Sequence, residues 1–183
     1  MRTISENDVE RALPKVAPGL EKYRQIQGRL HSCDVSADRD FQRRFDHFYR
    51  VRKGEKWRAC FFRLMQTAKH DGISFPYALD HLQRETGSIE ASFTSKLVAT
   101  IDPAKPVIDK FVLGHFELAL PYPKAKERFN RVLIIYEALC DHYARLFASP
   151  TGSMILNCFD RHSGETDLTP VKKADLVLWQ IRH

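Results

Sequence analysis

Nowhere does the chain contain the run of about 18 apolar residues that a membrane-spanning helix needs. Its opening residues, MRTISENDVERAL, are charged where a secretory signal would be apolar. Both absences give the expectation of a soluble, cytoplasmic protein with no membrane association. Cysteine is scarce, and Cys33, Cys60, Cys140 and Cys158 are too widely spaced to form a CxxC unit, which argues against zinc, iron–sulfur and disulfide frameworks. None of the eight histidines falls in an HExxH pattern. No metal and no other cofactor is therefore expected. Strand-like alternation is nearly missing, and there is no internal repeat or low-complexity tract.

What remains is helical periodicity. With 183 residues, 43% of them hydrophobic, the chain has apolar material for one core and is expected to form a single domain over residues 1–183. A first helix is expected over residues 5–13, broken by Pro14 and the Pro18-Gly19 pair, and the stretch to Asp34 has no clear pattern. Phe41, Phe45, Phe48 and Tyr49 then follow helical spacing behind Ser36 or Asp38 as cap, with Gly54 as the stop. Trp57, Phe61, Leu64, Met65 and Ala68 mark another helix. Ser74 caps a shorter one that ends at Thr86 and Gly87. Ile89, Phe93 and Leu97 recur every four residues, and a further helix starts near Asp109. Phe129 to Tyr143 describe a long amphipathic helix, followed by residues 154–159 and by a last helix capped by Thr169 with Pro170 in its first turn. The expectation is an all-α fold of eight or nine helices.

Charge is unevenly placed. The net charge is +6, and the stretch RRFDHFYRVRKGEKWR at 43–58 holds seven basic residues, among them Arg50, Arg52 and Lys53, against Asp46 and Glu55. Such a band attracts phosphates, and the aromatic residues between the charges supply rings on which a base can stack. Tyr49, Trp57 and Phe93 are the candidate stacking residues. Lys105 and Lys110, further along the chain, are candidate phosphate contacts together with Arg50, Arg52 and Lys53.

A second constellation is QRETGSIEAS at 83–92, where Thr86, Gly87 and Ser88 make a tight turn between two helices. The N–H groups at the start of the second helix, with its positive dipole end, suit a phosphate. Past it, PVIDKFVL at 106–113 sets Asp109 among apolar residues. Its ordinary role is a helix cap, and its functional role would be a charge acting on something bound.

GSIEASF followed by PVIDKFVL resembles the helix-hairpin-helix DNA glycosylases, in particular the small 8-oxoguanine glycosylase branch. In that family the hairpin ends in a Lys-Glu-Ala-Ser type run, matched here by Glu90, Ala91 and Ser92, and an Asp opens the next helix, matched by Asp109. KKADLVLWQ at 172–180 is similar to the family's closing helix, although Asp175 is given no catalytic part and is expected to cap or to pair with Arg182. The likeness lies mainly in residues 75–116. It implies a DNA partner, chiefly double-stranded, and an enzyme that flips a damaged or modified base and hydrolyses its N-glycosidic bond. Asp109 would stabilise the charge that develops on the sugar and orient water, and the dipole of the helix it opens would keep it ionised.

At one position the chain departs from the family. Ile89 stands where bifunctional members carry a nucleophilic lysine. Lys96, two turns onward on a continuous helix, is either a displaced nucleophile giving AP lyase activity or a contact to a phosphate or an acid in a monofunctional enzyme. Two other functions stay open: a non-enzymatic nucleic-acid-binding helical protein, and an interaction module whose basic face meets an acidic protein or a nucleotide. The protein is expected to be a monomer.

Overall fold

Most helix starts are set by a single polar side chain. In the computed structural model, which describes residues 3–164 and 167–181, Ser5 opens α1 (Glu6–Ala12) through a capping box with Asp8. A 3-10 turn, Leu13–Lys15, leads to α2 (Ala17–Leu30). Asp38 caps α3 (Arg39–Tyr49) by accepting the N–H groups of Asp40 and Phe41. Gly54 precedes α4 (Glu55–Ala68), and Ser74 caps α5 (Phe75–Thr86). Helices α6 (Ala91–Ile101), α7 (Lys110–His115) and α8 (Arg128–Phe147) follow. Ser149 and Thr169 cap α9 (Pro150–Ser163) and α10 (Pro170–Gln180), each with proline in the first turn.

Ten α-helices and no strand among the described residues agree with the all-α expectation. The helix beyond the expected nine is α2. Pro18 does not break it, because the missing proline N–H falls in the first turn, where no helical bond is needed. Another difference concerns Gly54. Helix α3 stops earlier, at Tyr49, where Arg50 takes a left-handed conformation (φ 55°) and donates its N–H to the Asp46 carbonyl. Gly54 instead opens α4.

The chain divides into two compact units, one made of Met1–Pro18 with Pro103–His183 and the other of Gly19–Asp102. In the Gly19–Asp102 unit α4 packs on both α5 and α6, and these two pack on each other. Its core is rich in aromatic rings: Phe45 meets Phe61 at 5.4 Å and Phe62 at 5.5 Å between centroids, and Phe41 meets Phe62 edge-on at 6.3 Å. All four rings are buried, with Ile26, Met65, Leu79, Leu82 and Leu97 filling in around them.

In the other unit α10 packs on α1, α7 and α9, while α8 packs on α9. Val9, Val132, Leu139, Ile155, Phe159, Ala174, Val177 and Leu178 are among its fully buried apolar residues. The turn from α8 to α9 is tight. A Cβ on Gly152 would lie 2.0 Å from the Leu146 carbonyl oxygen, backbone that cannot swing aside. Gly152→Ala is therefore expected to destabilise this unit by about 3 kcal/mol through overpacking, read as a loss of thermal midpoint. An unchanged midpoint would mean that the turn can widen freely.

Candidate nucleic-acid interface

Loop 50–54 leaves α3 at the left-handed Arg50 and returns at Gly54, which puts Lys53 within reach of the turn between α5 and α6. Lys53 Nζ donates to Glu90 Oε1 at 2.5 Å, a contact between residues 37 apart in sequence. The two side chains are only 31% and 16% exposed, so solvent screens the pair incompletely. Glu90 occupies the N-cap position of α6 without making a cap bond, and its carboxylate serves Lys53 instead.

Around this pair the structure gathers several of the residues singled out in the sequence. Lys53 Nζ lies 5.6 Å from the ring centroids of both Trp57 and Phe93, and Lys96 Nζ lies 4.9 Å from that of Phe93. Trp57 is stacked on Phe61 at 4.9 Å and meets Phe93 edge-on at 5.3 Å. Its indole N–H is buried and finds no hydrogen-bond partner among the described residues. Tyr49 lies deeper, 8% exposed, with Phe45 and Phe48 each 4.6 Å from its ring. It contributes a backbone carbonyl, which accepts from Lys96 Nζ at 3.4 Å.

The basic band divides in two. Arg43 and Arg44 share Asp40 with Arg29, at 3.6 and 2.8 Å for the first two, and Arg58 pairs with Asp46 at 2.6 Å, so this part of the band is offset in part by aspartates. Arg50, Arg52 and Lys56 are exposed on and beside loop 50–54. Arg52 and Lys56 make no ion pair among the described residues.

The hairpin turn is shorter on its first side than expected. Thr86 belongs to α5, and its hydroxyl donates to the Leu82 carbonyl at 2.6 Å. Gly87, with φ 70°, ends α5 in the left-handed conformation that glycine adopts without strain, and its N–H closes on Gln83. Ser88 is exposed. Ile89 precedes the first residue of α6, so Lys96 and Ile89 do not share a continuous helix face.

Asp109 and Lys110 belong to the other unit. Asp109 caps α7, its Oδ1 accepting the Phe111 N–H at 2.8 Å, and it is half-buried. Lys110 is exposed, with Nζ 4.9 Å from the Phe111 ring centroid. Asp175 is not a surface cap. It is buried and accepts from the Tyr143 hydroxyl, and Arg182, its expected partner, lies outside the described residues. No group of three or more His, Cys, Asp or Glu among the described residues could hold a metal ion, and no described helix is long and apolar enough to cross a membrane. No protein-family model, curated protein or solved structure matches the chain.

Glu90 was visible only as part of a short run of residues, because no sequence signal joins it to Lys53. The capping role of Asp109 separates its possible substitutions. Asp109→Ala should cost about 1 kcal/mol in chemical denaturation, whereas Asp109→Asn, which can still accept the Phe111 N–H, should cost a few tenths at most. Equal losses in the two variants would show that the charge, not the cap, is what the fold uses.

Proposed function

We propose that the protein binds nucleic acid through its phosphates, using loop 50–54 and the turn between α5 and α6 as one contact surface. The observation that carries this reading is the Lys53–Glu90 contact, which sets the exposed cations of the loop beside the hairpin turn. The rings of Trp57 and Phe93 flank the lysines, an arrangement suited to a base near the bound backbone. Affinity for a short DNA duplex and for the matching single strand, followed as salt is raised, tests the reading. Affinity should fall linearly on a log–log plot, and removing Arg52 and Lys56 together should lower the slope by about 2. Glu90→Gln should strengthen binding several-fold, because it frees Lys53 for a phosphate. A salt-independent affinity would instead favour an interaction module for a protein partner.

A second reading adds chemistry, and the position of Asp109 favours it: a half-buried carboxylate held at the start of a helix, downstream of the Glu-Ala-Ser run. On this reading the protein is a DNA glycosylase. Asp109 faces the sugar of a flipped nucleotide, stabilises the positive charge that develops as the N-glycosidic bond breaks, and orients the attacking water. Duplexes carrying uracil, 8-oxoguanine, hypoxanthine, alkylated purines or modified cytosines should then be nicked after hot alkali. Asp109→Asn should abolish the nicks while leaving DNA affinity intact. A borohydride-trapped adduct lost in Lys96→Gln would assign strand cleavage to that lysine. Salt-sensitive binding with no nick on any duplex would leave the non-enzymatic binder.

A further inference from the structure

Loop 119–127, which leads into α8, belongs to the unit of Met1–Pro18 and Pro103–His183 and takes no part in the interface proposed above. It carries the most exposed tyrosine among the described residues. Tyr122 is 87% exposed, against 59% for Tyr77, whose ring is already stacked on His81 at 6.3 Å between centroids. The sequence around Tyr122, LALPYPKAKERFNR at 118–131, holds Lys124, Lys126, Arg128 and Arg131 against the single acid Glu127. Lys124, Lys126 and Arg131 are exposed and make no ion pair among the described residues.

The loop is built to hold the ring in place. Pro121 is buried, and Pro123 confines Tyr122, the residue before it, to extended conformations. Pro123 then takes the second position of a turn that the Ala125 N–H closes on the Tyr122 carbonyl at 3.0 Å. Half-buried Arg128 has a different task from the exposed cations: its Nε donates to the Pro121 carbonyl at 3.5 Å, tying the start of α8 to the base of the loop. A ring fixed in this way gives up little backbone freedom when a ligand meets it.

We propose that this loop is a further nucleic-acid contact, selective for single strands: Tyr122 stacks on one unpaired base, while Lys124, Lys126 and Arg131 hold the phosphates that flank it. Cations set around one open ring match a chain that alternates charge with flat apolar faces. In a duplex the faces of the bases are covered by their neighbours, so a ring standing out from a loop finds no face to stack on. An anionic membrane offers the same charge, but adsorption there draws on a face of several apolar side chains. Tyr122 is the one exposed large apolar residue of the loop, and Ile134, also exposed, lies about a turn beyond Arg131 in α8. These residues and loop 50–54 belong to different units, so the two contacts stand or fall separately.

Binding of a labelled oligothymidine of about ten nucleotides to the full chain, followed as salt is raised, tests this. The background is Arg52→Gln/Lys56→Gln, which removes the free cations of the other contact. There, adding Lys124→Gln/Lys126→Gln should lower the log–log salt slope by about 1.4, the counterion release of two phosphate contacts on a single strand. Tyr122→Ala should weaken binding about tenfold at constant slope, and Tyr122→Phe, which keeps the stacking face, should bind as the background does. Against the same strand paired with its complement, Tyr122→Ala should change nothing. All three side chains are exposed, so none of these substitutions should move the thermal midpoint.

A slope unmoved by the lysine pair, a Tyr122→Ala loss shared by Tyr122→Phe or by the duplex, or no measurable binding of the strand would overturn the assignment. So would vesicles of phosphatidylcholine and phosphatidylserine that bind through Lys124 and Lys126 while oligothymidine does not depend on them, a result that makes the loop a membrane contact. If Arg52→Gln/Lys56→Gln binds nucleic acid as the wild type does, only the reading of loop 50–54 fails, because the responses to Tyr122, Lys124 and Lys126 still decide this one.

Discussion

The contact of Phe45 with Phe61 and Phe62 holds α3 against α4, and the position of everything at the interface depends on it. Once these rings meet, the chain between the two helices has only residues 50–54 with which to turn back, and Lys53 falls near α6. Trp57 extends the same ring system by stacking on Phe61, and Phe93 of α6 closes on it edge-on. Lys53 and Lys96 are therefore held against an aromatic base. A charged side chain placed this way gives up less conformational freedom on binding than one on a mobile loop.

Local chemistry made much of the fold legible. Asp38, Ser74 and Thr169 start helices where the sequence places their caps, whereas Ser149, read as part of the stop after α8, opens α9 four residues before the expected 154–159 segment. Helix α2 was hidden because Pro18 and Gly19 resemble a break until the proline is seen to lie in the first turn. The end of α3 was misplaced for a related reason: Gly54 looked like the stop, whereas Arg50 takes the left-handed conformation that glycine more often supplies.

The sites were less legible than the helices, because their pairings span long stretches of chain. Lys53 reaches Glu90 over 37 residues and Tyr143 reaches Asp175 over 32, and neither distance leaves a periodic trace. The basic band could be counted but not divided. Only the folded chain distinguishes Arg43, Arg44 and Arg58, which meet aspartates, from Arg52 and Lys56, which do not. Periodicity placed Ile89 and Lys96 on one helix face, and the start of α6 at Ala91 removes that relation.

For the phosphate binding proposed above, the Lys53–Glu90 contact would also set which anions can compete. A lone monovalent ion gains little by approaching a lysine that already has a carboxylate partner, since it must displace that partner for a single new contact. A chain of phosphates recovers the loss at neighbouring cations in the same encounter. In that binding the built-in partner would act as a valence filter, favouring polyanions over chloride and isolated phosphate.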